Sequence, residues 1–183
     1  MINKIKRWWR WEGKYLHRNI KYGIQNLIRW LPIIWKDRDW DQTFIWNILE
    51  RKLRNQSQYI KDYGHHVDIK VDSRNMLTCA NLIKKINDEF YVMEYLDYYD
   101  CDIDFVPIEN TSLHEMVSNT NWEKFDEYFK KYPRIYKKIT ANGEPKTTED
   151  KKRVAMDIAR TNHNRAIRLL FKIMEGHIER WWD

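Results

Sequence analysis

The hydrophobic and polar positions of this chain repeat with the period of an α-helix. In residues 44–60, 76–96 and 156–181, apolar side chains recur every three or four residues between charged ones. This spacing is typical of amphipathic helices that bury one face. The sequence therefore predicts an all-α protein, a helical bundle of about four long helices with an irregular insertion around residues 100–147.

A basic segment rich in aromatic residues precedes these helices. Residues 2–30 hold eight lysines and arginines but a single acidic residue, Glu12, while tryptophan, tyrosine, isoleucine and leucine supply an apolar side. This pattern predicts a basic amphipathic helix. Pro32 predicts its end at Leu31, because a proline biases the preceding residue away from helical geometry.

The chain is expected to consist of two parts. Residues 1–31 form an appended basic amphipathic helix, and residues 32–183 form a helical core domain that contains the insertion at 100–147. Within the core domain, side chains that can cap a helix mark where helices begin. The predicted caps are Asp39 with Gln42 for the second helix, Asp72 or Ser73 for the third, Asn119 or Thr120 for a short helix that Pro133 ends, and Thr147 with Asp150 for the last.

The composition favours an acidic partner. The formal net charge is +6, and the 183 residues include 10 tryptophans and 11 tyrosines. Positive charge attracts phosphates and other anions, and aromatic residues at this density supply stacking surfaces and interface anchors. Because so many tryptophans exceed what one small core encloses, we also expect a homo-oligomer.

Cysteine usage and the lengths of apolar runs limit the compartment. Cys79 and Cys101 make no disulfide framework, and Cys79 lies on an apolar helical face where we expect it to be buried. No apolar run reaches the roughly 18 residues of a membrane-spanning helix, and no signal peptide is visible. We therefore expect a cytoplasmic protein, for which a membrane is not an expected partner.

The most polar stretch of the last predicted helix is the main candidate binding segment. In "ARTNHNRAIR", Arg160, His163, Arg165 and Arg168 interrupt an otherwise apolar helix, and His163 falls on the predicted buried stripe. Guanidinium groups fork onto phosphate and carboxylate oxygens, so these residues are candidate contacts for an anionic, nucleotide-like ligand. The alternative is a hydrogen-bonded core histidine beside a solvated arginine patch.

The second candidate segment is "WLPIIWKDRDWDQTF", residues 30–44. Its backbone is a predicted corner between two helices, but this role leaves its arginine and its tryptophans unexplained. We expect Trp35, Arg38 and Trp40 to meet the last helix and the terminal "RWWD" in one aromatic and basic surface that holds the ligand. The alternative is a corner pinned into the core, with Arg38 paired to a neighbouring aspartate.

Clusters of potential metal ligands carry no recognisable signature. His65 and His66 with Asp68 and Asp72, and the four aspartates in "DYYDCDID", match no zinc, calcium or catalytic spacing. We interpret both as polar loops, and we expect no metal and no cofactor. No phosphate-binding loop, nucleophile elbow or zinc-protease motif is present, which favours a protein that is not an enzyme.

A family resemblance rests on two stretches, "RWLPIIWKDRDWDQTFIWNILERKLRNQ" and "NHNRAIRLLFKIMEGHIERWWD". They resemble a family of small, uncharacterised helical proteins encoded by bacteriophages, and the likeness covers residues 26–98 and 150–183. The resemblance implies a viral gene that acts in the cytoplasm of a bacterial host, and it brings no activity. Small accessory phage proteins often block host defence, which is an analogy at the level of a class.

The sequence thus predicts a non-enzymatic accessory protein, most simply a counter-defence protein that sequesters an anionic nucleotide-like ligand in an aromatic and basic pocket. One alternative is an inhibitor that binds a host defence protein through exposed tryptophans. A second is a metal-dependent nuclease. A third is a nucleic-acid-binding protein that uses the N-terminal helix. The contacts expected for that third alternative are Lys4, Lys6, Arg7, Arg10, Lys14 and Arg18.

Overall fold

The computed structural model describes residues 6, 9–10, 13–38, 40–65, 67–109, 111–121 and 124–181. These residues are mainly helical and contain one small antiparallel sheet, which confirms the mostly-α prediction. The helices are α1 (Leu16–Ile34), α2 (Thr43–Tyr63), α3 (Ile69–Asn87), α4 (Phe90–Met93), α5 (Phe125–Lys131), α6 (Pro133–Ile139) and α7 (Thr148–His177), and the strands are β1 (Asp100–Pro107) and β2 (His114–Asn121).

The chain divides into two compact units, an N-terminal unit, Met1–Leu49, and a C-terminal unit, Glu50–Asp183. The boundary lies inside α2, whereas the division predicted from the sequence lies earlier, after residue 31. Four of the helices are long, but α1 has no buried residue. The expected bundle of four long helices is therefore not confirmed.

The N-terminal unit is dominated by α1, which continues past the predicted end at Leu31. Pro32 lies inside the helix, and the Trp35 N–H donates to the Leu31 carbonyl oxygen at 2.9 Å. Proline removes only its own N–H from the helical ladder, and its effect on the preceding residue is a bias. The hydrogen bonds of the last turn are therefore enough for the helix to continue to Ile34.

The corner between α1 and α2 differs from the predicted capping box. Asp39 lies outside the described residues, and α2 begins at Thr43 and not near Asp39. The Thr43 N–H donates to the Asp41 carboxylate at 2.8 Å. Hydrogen bonds from the Thr43 side chain and backbone lower the pKa of Asp41. The local cap is therefore an aspartate two residues before the helix, which satisfies one of its orphan N–H groups.

The core of the C-terminal unit is built largely from α3 and α7. Met76 and Ile83 of α3 and Ile158 and Leu170 of α7 are fully buried. Cys79 is also fully buried, as predicted, and this burial raises the pKa of its thiol to about 11. A thiol in such a place behaves as a small apolar group.

The third helix begins one turn before the predicted caps. α3 starts at Ile69, and Asp72 and Ser73 are buried within its first turns. The Ser57 hydroxyl donates to the Ser73 carbonyl oxygen at 2.8 Å, and the Ser73 hydroxyl donates to the Ser57 carbonyl oxygen at 3.2 Å. Because Ser73 bonds across to α2, its side chain is not a cap for its own helix.

The last helix begins as predicted, and part of its predicted apolar stripe is buried. The capping box of Thr147 and Asp150 is present. Of the positions expected to face the core, Ala159 and Leu170 are buried, whereas Met156 is exposed. Ala155 and Ile158 are buried as well. The first turns of the helix therefore present a slightly different face to the core than the sequence predicted.

The end of the chain docks on the C-terminal unit. Trp181 is buried, and the Gln56 side-chain amide donates to the Trp181 carbonyl oxygen. Residues 182 and 183 lie outside the described residues.

The region predicted as an irregular insertion contains regular structure. β1 and β2 form an antiparallel hairpin in which Phe105 pairs with Met116. Asn119 and Thr120, which were expected to cap a helix, lie in β2, and α5 begins at Phe125. Pro133 opens α6 instead of only ending the helix before it, because the first position of a helix needs no N–H.

An aromatic cluster covers the start of α7. Phe125, Tyr128 and Phe129 of α5 are buried together with Val154 and Ile158. The Phe129 and Tyr136 rings stack with their centroids 4.8 Å apart. Aromatic rings bury a large apolar area in few residues, so two short helices are enough to close this end of the core.

Candidate functional site

The predicted ligand contacts on α7 do not converge. Arg160, Arg165 and Arg168 are exposed, and His163 is half-buried. At about 100° per residue, Arg160 and Arg165 point roughly 140° apart around the helix. The three guanidinium groups therefore spread over the solvent side of α7 instead of forming one fork for an anion.

His163 nevertheless has an unusual environment. Its Nδ1 atom and the neighbouring Asn162 Nδ2 atom are buried, and neither has a hydrogen-bond partner among the described residues. Buried polar atoms normally have a partner in the protein or in ordered water. The alternative of a hydrogen-bonded core histidine therefore stays a prediction.

The predicted contacts at the corner lie in the N-terminal unit. Trp35 is 78% exposed and Trp40 is 85% exposed. The Arg38 guanidinium donates to the Asp37 carbonyl oxygen at 2.7 Å, and the neighbouring Asp39 lies outside the described residues. The arginines of α7 belong to the other unit, and the surface that would join both sets stays a prediction.

The contacts predicted for nucleic acid are only partly described. Lys6, Arg10 and Arg18 are exposed, and the Arg18 guanidinium lies 4.5 Å from the centre of the Tyr15 ring. Lys4 and Arg7 lie outside the described residues, and the side chain of Lys14 is not described. The structure therefore describes the side chains of only three of these six residues.

The most unusual feature of the N-terminal unit is the exposed apolar face of α1. Positions three and four apart carry isoleucine or leucine, and none of them is buried. Leu27 is 67% exposed and Ile28 is 70% exposed. The exposed apolar face consists of Leu16, Ile20, Ile24, Leu27, Ile28, Leu31 and Ile34.

The remaining side of α1 is basic and has no acidic counterpart. Residues 13–36 contain no aspartate and no glutamate. Arg18, Lys21 and Arg29 are exposed, and helical geometry of about 100° per residue sets them on the side away from Leu27. An apolar face backed by uncompensated positive charge is typical of helices that lie in a membrane interface. The sequence pattern predicted an amphipathic helix, but only the structure shows that the side chains of its apolar face are exposed.

A buried carboxylate in the C-terminal unit escaped the sequence analysis. Glu94 is 5% exposed and accepts hydrogen bonds from the Lys131 ammonium at 2.7 Å and from the Tyr132 hydroxyl at 2.6 Å. The hydrogen bond with Glu94 is the main reason why the pKa of Lys131 is raised. Burial and the nearby Glu94 charge raise the pKa of Tyr128.

Each oxygen of the Glu94 carboxylate accepts a hydrogen bond, and the groups around it, Lys131, Tyr132 and Tyr98, are not poised for reaction. The Lys131 ammonium also donates to the Tyr98 hydroxyl at 3.2 Å and lies over the Tyr98 and Tyr132 rings. A lysine with a raised pKa stays protonated, so it is neither a general base nor a nucleophile near neutral pH. We assign the cluster to stabilisation of the C-terminal unit.

The residues considered as metal ligands do not come together in the part of the chain that the structure describes. Among those residues, no group of three or more histidine, cysteine, aspartate or glutamate side chains could hold a metal ion. His65 is exposed, and His66 lies outside the described residues. Asp100, Asp102 and Asp104 lie along β1, so the predicted acidic loop is a strand. In addition, none of the described helices is both long and apolar enough to cross a membrane.

Comparisons with known proteins found no match: no family model, no curated protein and no solved structure is similar to this chain. The bacteriophage resemblance therefore stays an expectation. Function has to be argued from the chain's own geometry.

Proposed function

We propose that this protein is a non-enzymatic binding protein that attaches to an anionic lipid surface through α1. The observation that carries the proposal is that the entire apolar face of α1 is exposed while residues 13–36 contain no acidic side chain. In the bacterial host that the sequence resemblance implies, the surface would be the inner leaflet of the cell membrane. The sequence interpretation did not expect a membrane partner, and the exposure of α1 is the observation that supports one in this proposal.

The energetics of interfacial binding suit α1. Fully burying a leucine or isoleucine side chain contributes roughly 1.5–3 kcal/mol, and the exposed apolar face offers seven such side chains. Each lysine or arginine near an anionic leaflet adds about 1 kcal/mol. Trp30 and Trp35 lie near the C-terminal end of the helix, and tryptophan favours the level of the lipid headgroups.

The apolar face distinguishes a bilayer from a nucleic acid. Helices that enter a DNA groove contact phosphates and base edges mainly through polar and basic side chains. Binding through Arg18 and Arg29 would leave Leu27 in water, because at about 100° per residue it lies roughly 160–180° from them around α1. A bilayer satisfies both sides at once, since its headgroups are anionic and its acyl chains are apolar.

The decisive experiment measures co-sedimentation of the full chain with phosphatidylglycerol-containing vesicles and with neutral phosphatidylcholine vesicles. We expect binding to the anionic vesicles and weaker binding to the neutral ones. Leu27→Asp removes an apolar side chain from the interface and should weaken binding more than tenfold. Asn26→Asp is the matched control, because it adds the same charge to the same helix on its polar side.

Three outcomes would count against attachment to lipid. Failure of the full chain to sediment with anionic vesicles would contradict it directly, and equal effects of Leu27→Asp and Asn26→Asp would remove the role of the apolar face. Salt-sensitive binding to a DNA duplex in place of vesicles would favour the nucleic-acid alternative.

A second candidate function is supported by one observation. Among the described residues, the buried Asn162 Nδ2 and His163 Nδ1 atoms of α7 have no hydrogen-bond partner. We propose that a polar, nucleotide-like anion bound beside Arg160 engages His163, which lies about 60° from Arg160 around α7, as the sequence interpretation suggested. A thermal shift of the full chain with nucleotides tests this directly. The proposal requires a rise in melting temperature that His163→Phe abolishes, and no rise with any nucleotide would exclude it.

A further inference from the structure

The β1–β2 hairpin presents an apolar face that this chain leaves uncovered. Phe105 is 66% exposed and its pairing partner Met116 is 62% exposed, and Ile103 on the same face is also exposed. In the part of the chain that the structure describes, neither outer edge of the hairpin pairs with another strand. A two-stranded sheet alone is marginally stable in water, and a further strand would stabilise it.

The two outer edges of the hairpin differ in how open they are to another strand. β1 carries Asp100, Asp102 and Asp104 and ends on Pro107, whereas β2 carries a single carboxylate, Glu115, and a histidine, His114, at its first position. Charged side chains and proline are the features by which proteins protect an edge from pairing. The β1 edge is therefore blocked, and the β2 edge is open.

We propose that two copies of this chain pair through β2, antiparallel and around a two-fold axis near Val117. In this register Glu115 lies opposite the other copy's Asn119, so no like charges meet. In this register each even-numbered position of β2 lies opposite an even-numbered position of the other copy's β2. Side chains at these positions share one side of the four-stranded sheet, so the apolar faces of both hairpins lie on that side.

In this pairing, assembly would end at a dimer. The outer edges of the four-stranded sheet would be the two β1 strands, which carry the aspartates and the proline. A two-fold interface uses the same patch on both copies and leaves no second open patch. A foreign strand could also pair with β2, but self-pairing joins two strands that each hold a single carboxylate and places a blocked β1 edge at each end of the sheet.

Disulfide trapping tests the register in a Cys101→Ser background, where the buried Cys79 is the remaining thiol. Val117→Cys places a thiol at the two-fold axis, where opposite Cα atoms lie about 4.5–5.5 Å apart, within reach of a disulfide. Val106→Cys is the matched control, because it lies on β1, and the two β1 strands would be about 14 Å apart. We expect mild oxidation to trap the first variant as a dimer and to leave the second monomeric.

Light scattering of the full chain without lipid supplies an independent measurement. We expect a mass of twice the 22.8 kDa chain and a monomer for Met116→Lys, with unchanged far-ultraviolet circular dichroism. A wild-type monomer at every concentration would overturn the proposal. Equal trapping of Val117→Cys and Val106→Cys would also overturn it. Neither outcome bears on the lipid affinity of α1.

Discussion

At the scale of single residues, Glu94 shows how a buried charge is accommodated. Its carboxylate accepts one hydrogen bond from an ammonium and one from a phenol, and both donors come from the α5 region. An ionised group taken out of water needs such partners, since leaving it unpaired costs several kcal/mol. Glu94 therefore ties the segment after α4 to the aromatic cluster.

Glu94→Gln keeps the shape of the side chain and removes its charge. We expect a loss of about 1–3 kcal/mol in the free energy of unfolding, because a charge-assisted hydrogen bond becomes a neutral one. Urea unfolding followed by circular dichroism measures it. Glu127→Gln on exposed α5 surface is the control, with an expected change below about 0.5 kcal/mol, and equal midpoints for the two variants would disprove a stabilising role for Glu94.

The buried thiol of Cys79 predicts a dependence of stability on pH. Burial raises its pKa from 9.0 to about 11, so above pH 9 the unfolded chain loses a proton that the folded chain keeps. Stability from this group is complete below pH 9 and is lost as the pH rises toward 11. Denaturant midpoints at pH 8 and pH 10 should differ more for the wild type than for Cys79→Ala. Parallel behaviour of both proteins would refute this assignment.

At the scale of elements, each helix is defined partly by its ends. The Asp150 N–H donates to the Thr147 hydroxyl at 3.1 Å, and the Thr147 N–H donates to the Asp150 carboxylate at 3.2 Å. Two orphan donors at the start of α7 are thereby satisfied. This reciprocal pair of hydrogen bonds marks the point at which the loop around Gly143 ends and α7, the longest helix of the C-terminal unit, begins.

Removal of the cap should destabilise α7 locally. We expect Thr147→Ala to cost about 1 kcal/mol, the usual effect of losing a threonine cap, and to lower the melting temperature. Thr148→Ala at the adjacent exposed position keeps the cap and controls for loss of a threonine. A drop in melting temperature that is the same for both variants would show that the capping box contributes nothing.

At the scale of the whole molecule, the two proposed surfaces lie in different units and can be separated by mutation. A dimer carries two copies of α1, and two linked sites bind a surface more tightly than one. We therefore expect the monomeric Met116→Lys variant to bind anionic vesicles, but more weakly than the wild type, whereas Leu27→Asp should still dimerise. Vesicle titrations measure the affinity for lipid, and light scattering measures the dimer. Equal vesicle affinity of Met116→Lys and wild type would argue against linked sites.

Local signals predicted some elements well and others poorly. The α7 cap depends on residues three apart, so Thr147 and Asp150 identified it correctly. The first strand had a local signal, because "IDFVPI" is a short apolar run whose proline is tolerated at the end of a strand. The second strand was missed, because Asn119 and Thr120 suggested the cap of a helix. Glu94 had no sequence signal, since Lys131 and Tyr132 lie almost forty positions away in the chain.

The sequence by itself determined the helical character, the basic charge, the burial of Cys79 and the start of α7. These properties follow from periodicity, composition and neighbouring side chains. Only the tertiary structure decided which faces are covered. It buried the face of α7 that holds Ile158 and Leu170, and it left the apolar side chains of α1 and of the hairpin exposed. The physical reason is that amphipathicity marks a face for burial but does not name its partner, and the partner of a face is set by residues far away in the chain or outside it.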